Sequence, residues 1–357
     1  MNIGILGAGT IGGGVLDIID NKLNDKGVKV VKVFDMPSKK ELLGERYAES
    51  ADEVCLCSDV DVVIEALGGD KFPYDCIVKA LKNGKSVVTS NKEVVAAHME
   101  EFYDLAKLHG VYFMAEASVG GGIPLICSLI DEIKVNKVSR IYGIINGTTN
   151  FILTKMQKES MSFDAALQTA KDLGFAEYDA TADLEGLDMT RKIRILSSIA
   201  YGAKINVDDV YHYGISGVTE KVLADADKKG YAIKFVAESK VDGDKVKMSV
   251  EPVLVQKSSP LSAINYEYNA VYIDCDLSGT LGFYGKGAGR YPTAAAMVSD
   301  VLRIKSGSEK YYYNADKEYA VDNFLADEYY VFDGKESKIV AAPKRSDYAF
   351  SARVFKI

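Results

Sequence analysis

"NIGILGAGTIGGGVLDII", Asn2 to Ile19, is the stretch on which the fold turns. A short apolar run is followed by a cluster of glycines and then by apolar residues at helical spacing. Gly7, Gly9 and Gly12 make the pattern GxGxxG. The first glycine allows a tight turn, the second lets backbone approach a pyrophosphate, and the third lets helix pack on strand. The helix that starts there offers unpaired N–H groups and a partial positive charge to an anion. Taken alone, the same spacing also occurs in ordinary glycine-rich turns.

The surroundings make it a dinucleotide turn. A second β run, "VKVVKVFD", ends at Asp35, about where an acidic residue meets the adenosine ribose. Further apolar strands follow as "DVVIEA", "SVVTS" and "VYFMA", with helical stretches such as "YDCIVKALKNG" between them. Alternation of this kind predicts right-handed crossovers and an α/β fold, a Rossmann-type doubly wound parallel sheet. The strand ends "EALGG" and "TSNK" are expected to line the crevice beyond the carboxyl edge. Candidate cofactor contacts are therefore Gly7, Gly9, Thr10, Ile11, Gly12, Asp35, Leu67, Gly68, Ser90 and Lys92. Asp35 favours NAD, because a carboxylate bonds a 2′-hydroxyl and repels a 2′-phosphate. Lys39 and Lys40 follow closely and are able to serve that phosphate, unless Pro37 turns them toward solvent.

The length of 357 residues suggests two domains on the usual scale of about 100–200 residues each. A hydrophobic content of 48% is enough for a large core. The formal net charge of -8, with dispersed bases, argues against a nucleic-acid or anionic-membrane partner. The five cysteines form no CxxC, which speaks against a zinc site or a disulfide framework and for a reduced, cytoplasmic setting. The amino terminus does not read as a signal peptide, and no run approaches the ~18 apolar residues of a membrane span.

The pattern changes after "EASVGGGIPLICSLI". "KVSRIYGIINGTTNFIL" reads as strand, turn and helix, and the helix "SFDAALQTAKDLG" ends at Gly174, a plausible C-cap. In "ADLEGLDMTRKIRILSSIAYG", Asp188 and Lys192 are four residues apart and share one helical face. Ile193, Leu196 and Ala200 form the stripe expected to face the core, beside Lys192. An exposed salt bridge is the plain alternative for that pair. Residues 230–285 read as β hairpins, consistent with an α+β second domain. "GFYGKGAGRYPTAAAMVSDVLRI" reads as a further glycine turn and helix that returns the chain to the first domain.

Together, "GAGTIGGGV", "VIEALGG", "VVTSNK", "EASVGGGIP", "GIINGTTNFILTKM", "DLGFAEYDATADLEGLDMTRK" and "GKGAGRYPTAAAMVSDVL" resemble the homoserine dehydrogenase family, in its order and over residues 1–305. The resemblance implies an NAD(P)-dependent oxidoreductase interconverting L-homoserine and L-aspartate 4-semialdehyde in threonine and methionine biosynthesis. It makes Lys192 the general acid/base, with Lys92 and Asp188 beside it. It assigns Glu177, Asp183, Asp188 and Thr148 to the substrate and Gly174 and Gly289 to the cofactor. Glu116, Val119, Gly121 and Ile123 match a monovalent-cation site (Na+ or K+) built largely of backbone oxygens. It also implies a homodimer or a dimer of dimers.

The expected organisation is a dinucleotide-binding domain over 1–130, completed by 285–308. A substrate-binding and dimerisation domain follows over 131–284, and then a carboxy-terminal extension over 309–357. That extension is too short for the complete regulatory ACT domain that many family members carry, so the resemblance gives no support to feedback inhibition by threonine. Its aromatic residues Tyr311, Tyr312 and Tyr313, with Tyr329, Tyr330 and Phe332, suit a β extension, an oligomer arm or ordinary packing. Two other readings of the chain stay open at this point. One is a different Rossmann amino-acid dehydrogenase; the other is a non-catalytic NAD(P)-sensing regulator. A lysine acts as acid and base on an alcohol and an aldehyde if burial and a neighbouring cation depress its pKa.

Overall fold

The computed structural model describes residues 1–356. It divides into two compact units, each drawing on separate parts of the chain. The first comprises Met1–Glu132, Ser198–Lys204 and Ala288–Lys317. The second comprises Ile133–Ser197, Ile205–Gly287 and the residues from Glu318 onward.

In the first unit, β1 (Asn2–Leu6), β2 (Lys29–Phe34), β3 (Tyr47–Ala48), β4 (Val62–Glu65), β5 (Ser86–Thr89) and β6 (Phe113–Met114) form a six-stranded sheet. The strand order is β3-β2-β1-β4-β5-β6 and every pairing is parallel. Helices cover the sheet, so its central strands carry unbroken apolar runs rather than an alternating pattern. Ile3, Ile5, Val33, Ile64 and Val88 are buried together with Val15 and Ile19 of the first helix, Thr10–Lys22. The helix Arg290–Lys305 adds Met297 and Val301 to this core. Two details of the sequence reading change. The strand expected over "VYFMA" is only Phe113–Met114, and β3 lies in a stretch without the length or the apolar run that marks a strand.

The second unit is built on a ten-stranded mixed sheet. Its strands are β7 (Val138–Ile144), β8 (Tyr211–His212), β9 (Tyr231–Asp242), β10 (Lys245–Gln256), β11 (Tyr268–Cys275), β12 (Gly279–Lys286), β13 (Ala320–Asp322), β14 (Glu328–Phe332), β15 (Ser337–Ala341) and β16 (Phe350–Val354). The main path runs β12-β11-β7-β9-β10-β16-β14-β15. "GFYGK", read as the start of a glycine turn, is instead the end of β12; the turn proper is the short link before Arg290.

The segment expected as one extension over 309–357 is also shared out. Residues up to Lys317 group with the first unit, and β13 to β16 belong to the second sheet. Arg353 of β16 is 3% exposed at its side chain and bonds two buried carboxylates, Glu251 at 2.8 Å and Glu238 at 2.5 Å. Removing one member of such a set strands a buried charge. The tyrosines divide likewise. Tyr311 and Tyr313 pack on Tyr103 in the first unit. Tyr329 bonds Glu251, and Tyr330 bonds Asp225, in the second.

Candidate active site

The glycine turn is shaped for a dinucleotide. Gly7 has φ +88°, a left-handed conformation natural only to glycine. A Cβ on Gly12 would fall 1.8 Å from the carbonyl oxygen of Gly7, so only glycine lets the helix begin so close to the strand. Gly9 is different: nothing lies within 4 Å of where its Cβ would be. That open space, at the N-terminus of a helix with no side-chain cap, suits the close approach of a pyrophosphate. Thr10 is exposed and Ile11 half-buried at the start of this helix.

Asp35 stands just past β2, as expected, but its carboxylate is already engaged. Oδ2 accepts the Ala8 N–H of the glycine turn at 2.5 Å, and Oδ1 accepts the Met36 N–H at 2.5 Å. The two nearby lysines separate. Pro37 does not turn Lys39 to solvent; its Nζ donates to the Ala8 carbonyl at 3.2 Å. Lys40 pairs with Glu49 on the surface.

The ends of β4 and β5 are tied by a residue the sequence reading passed over. Glu65 is buried; it accepts the Leu67 N–H at 2.7 Å and the Thr89 hydroxyl at 2.5 Å. Burial pushes its carboxyl up to about 7. Thr89 in turn accepts the Asn91 N–H at 2.9 Å, and Asn91 donates to the Gly69 carbonyl at 2.8 Å. The strand-end loops carrying Leu67, Gly68, Ser90 and Lys92 are thus locked to each other. Lys92 opens the helix Lys92–His109, whose N-cap Asn91 accepts from Glu93 and Val94. A carboxylate closing an otherwise apolar strand was the available signal for Glu65.

Glu116 is buried and caps the helix Ile126–Glu132 by accepting the N–H groups of Ile126 and Cys127, both at 2.8 Å. Its own N–H donates to Asp300 at 3.1 Å. Burial, reinforced by the Glu116 charge, raises the Asp300 carboxyl well above the usual range. Val119, Gly121 and Ile123 follow in one tight loop, with Gly120 and Gly121 both left-handed. In that loop the Ile123 N–H donates to the Gly120 carbonyl at 2.9 Å. Gly289 has φ +117° and precedes the helix Arg290–Lys305.

In the second unit the opening turns of the helix Leu187–Tyr201 carry Asp188 and Lys192. Lys192 Nζ lies 2.7 Å from Asp188 Oδ2 and donates to the Ile145 carbonyl at 2.8 Å. Side-chain exposures of 10% for Lys192 and 2% for Asp188 exclude a solvated surface bridge. Ile193 and Leu196 are buried on the same helix, and Ala200 half-buried. β7 delivers Ile145, and Asn146 caps the helix Gly147–Glu159 that follows. Asn146 Nδ2 donates to Asp183 at 2.7 Å and to Asp188 at 2.8 Å. It was absent from the sequence reading, although Asn before "GTT" is an N-cap signature. Thr148 donates to the Phe175 carbonyl at 2.6 Å, which ties down the loop carrying Gly174 (φ +76°) and exposed Glu177.

A parallel sheet in this order, with a glycine turn open to a pyrophosphate, has the form of a dinucleotide-binding domain, the class of domain with which oxidoreductases hold a nicotinamide cofactor. Comparison with known proteins identifies the family. The model for the homoserine dehydrogenase NAD-binding domain matches residues 7–116, and that for homoserine dehydrogenase matches residues 124–302. Homoserine dehydrogenase of Bacillus subtilis is 40% identical over 314 residues, which are 85% of this chain and 72% of the relative. The crystal structure of a homoserine dehydrogenase from Thiobacillus denitrificans superposes with a TM-score of 0.90 at 27% identity, covering 99% of this chain and 98% of that one. A hyperthermophilic archaeal homoserine dehydrogenase in complex with NADPH has a TM-score of 0.75 at 27% identity, covering 87% and 98%. The chain belongs to the homoserine dehydrogenase family, NAD(P)-dependent oxidoreductases. No helix among the described residues is long and apolar enough to cross a membrane.

Proposed function

We propose that Lys192 is the general acid/base in the interconversion of L-homoserine and L-aspartate 4-semialdehyde. The observation that carries this reading is the buried Lys192–Asp188 pair, held at 2.7 Å beside the Ile145 carbonyl. NAD(P), when bound, supplies the hydride acceptor or donor. In the oxidising direction Lys192 takes the hydroxyl proton as the carbinol carbon loses hydride; in reduction it returns that proton to the carbonyl oxygen. Asp188 orients the ammonium and limits how far it is displaced. Glu177, Asp183 and Thr148 hold the substrate, the carboxylates pairing with an α-ammonium that would otherwise be desolvated without a partner. Lys92 is the second cation, and Gly174 and Gly289 are the glycines that allow close backbone approach to the cofactor. NAD(P)H absorbance with homoserine and a panel of other amino acids tests the assignment; turnover of another amino acid in preference to homoserine would overturn it.

Asp188→Asn should lower kcat/KM for homoserine about tenfold, the scale of a lost charge-assisted hydrogen bond, and leave cofactor affinity unchanged. A fall in NAD(P) affinity alone would place the carboxylate in the wrong site.

We also propose that NAD is the preferred cofactor and that NADP is used as well. Asp35 at the end of β2 favours two ribose hydroxyls, while Lys39, turned toward the glycine turn, gives a 2′-phosphate a cationic partner. Asp35→Ser should therefore shift kcat/KM toward NADP by about tenfold, equivalent to ~1.4 kcal/mol. Strong NADP preference in the parent, unchanged in the variant, would transfer the choice to Lys39. The loop from Glu116 to Ile123 is proposed as the monovalent-cation site through Glu116, Val119, Gly121 and Ile123. Its two left-handed glycines turn the backbone tightly, as a carbonyl cage around a hard cation requires. A homodimer or dimer of dimers and a cytoplasmic location, in keeping with five cysteines held as thiols rather than disulfides, complete the reading.

A further inference from the structure

Asn146 is 4% exposed and sits where β7 gives way to the helix Gly147–Glu159. Its Oδ1 accepts the Thr149 N–H at 2.8 Å and the Thr149 hydroxyl at 2.9 Å. An amide whose oxygen is so occupied has its nitrogen, with two donors, aimed the other way. Both donors are used, and on different acids: Asp183 Oδ1 at 2.7 Å and Asp188 Oδ2 at 2.8 Å. The oxygen of Asp188 that accepts from Asn146 is also the one that accepts from Lys192. The residue before Asn146, Ile145, supplies the carbonyl that takes another of the ammonium's directions.

We propose that Asn146 is a positioning residue for the reaction, its single NH2 group holding Asp183 and Asp188 at a fixed separation and setting the side from which Lys192 meets Asp188. This rests on the reading of Lys192 and Asp188 as the acid–base pair. Two carboxylates this close repel one another, and a neutral group with two donors bridges them without adding charge. Because Asn146 occupies one accepting direction of Oδ2, Lys192 is confined to another. The helix cap fixes the amide, so the backbone turn itself aims the lysine.

Two substitutions separate this role from capping. Asn146→Ser keeps a capping oxygen for Thr149 but removes both amide donors. Asn146→Asp keeps the size and the capping oxygen but presents a third carboxylate to the other two. For Asn146→Ser we expect melting and NAD(P)H affinity close to the parent, with kcat for homoserine oxidation down about 10–100-fold. For Asn146→Asp we expect the acidic limb of the kcat/KM profile to move up by about one pH unit. The added negative charge favours the charged lysine, and the base must be uncharged to act. Parental kcat in Asn146→Ser, or a pH profile of Asn146→Asp that overlays the parent's, overturns the proposal. If Asn146→Ser does not fold, the profile of Asn146→Asp alone decides. Lys192→Ala measured alongside distinguishes the two levels of inference. An active Lys192→Ala defeats the acid–base reading; an inactive one beside a fully active Asn146→Ser defeats only the role of Asn146.

Discussion

Lys192→Ala is expected to lower kcat for homoserine oxidation by ~10²–10⁴-fold, the usual cost of losing a general acid/base. The affinity for NAD(P)H, titrated by fluorescence, should stay near the parent value, because the glycine turn belongs to a different unit of the chain. Lys192 is a lysine brought out of water, with Asp188 and the Ile145 carbonyl as its partners. Its removal leaves Asp188 in a buried position without that cation, so some loss of stability accompanies the loss of rate. A thermal melt separates the two effects. A folded Lys192→Ala protein with parental kcat would mean that another group moves the proton.

Gly12→Ala is the second large effect. Its Cβ would stand 1.8 Å from the Gly7 carbonyl oxygen, and that neighbour is backbone, unable to swing aside. Overpacking of this kind costs about 1–3 kcal/mol, and a contact so short belongs at the upper end. About a hundredfold loss of NAD(P)H affinity should follow, together with a lowered melting temperature. Gly9→Ala gives the contrast. Its methyl group enters open space, so stability should hold while affinity falls because the methyl obstructs the pyrophosphate. Equal affinities in Gly12→Ala and the parent would remove the glycine turn from the cofactor's path.

The first unit was largely legible because its signals are local. Continuous apolar runs mark buried parallel strands, and GxGxxG marks a turn that few other residues can make. β3 escaped notice because two residues, Tyr47 and Ala48, are too short a run to show a period. The Asp188–Lys192 pair was visible as a spacing, but burial was not: exposure depends on β7 and the Asn146 turn, more than forty positions away in sequence. Glu65, Thr89 and Asn91 were hidden for the same reason, since a hydrogen bond between strand ends leaves no periodic trace. Lys39 was misjudged from Pro37, because a proline restricts the backbone beside it without deciding where a long side chain two residues on will reach.

The last strand of the second sheet carries a consequence for biosynthesis. β16 pairs with β10 through Val253 and Arg353, a hundred positions apart, and Arg353 bridges Glu238 and Glu251, which Arg140 and Arg345 also pair with. Until residues 350–354 have been made and have left the ribosome, two carboxylates of the central strands lack this cation. The first unit waits as well, for the helix Arg290–Lys305 that closes over its glycine turn's helix. Domains made in one continuous piece fold in order as they emerge. This chain instead threads back and forth between its units, so neither reaches its final state during most of its synthesis. A nascent chain stalled before residue 288 should be readily digested by protease throughout, while one extended past residue 356 should resist.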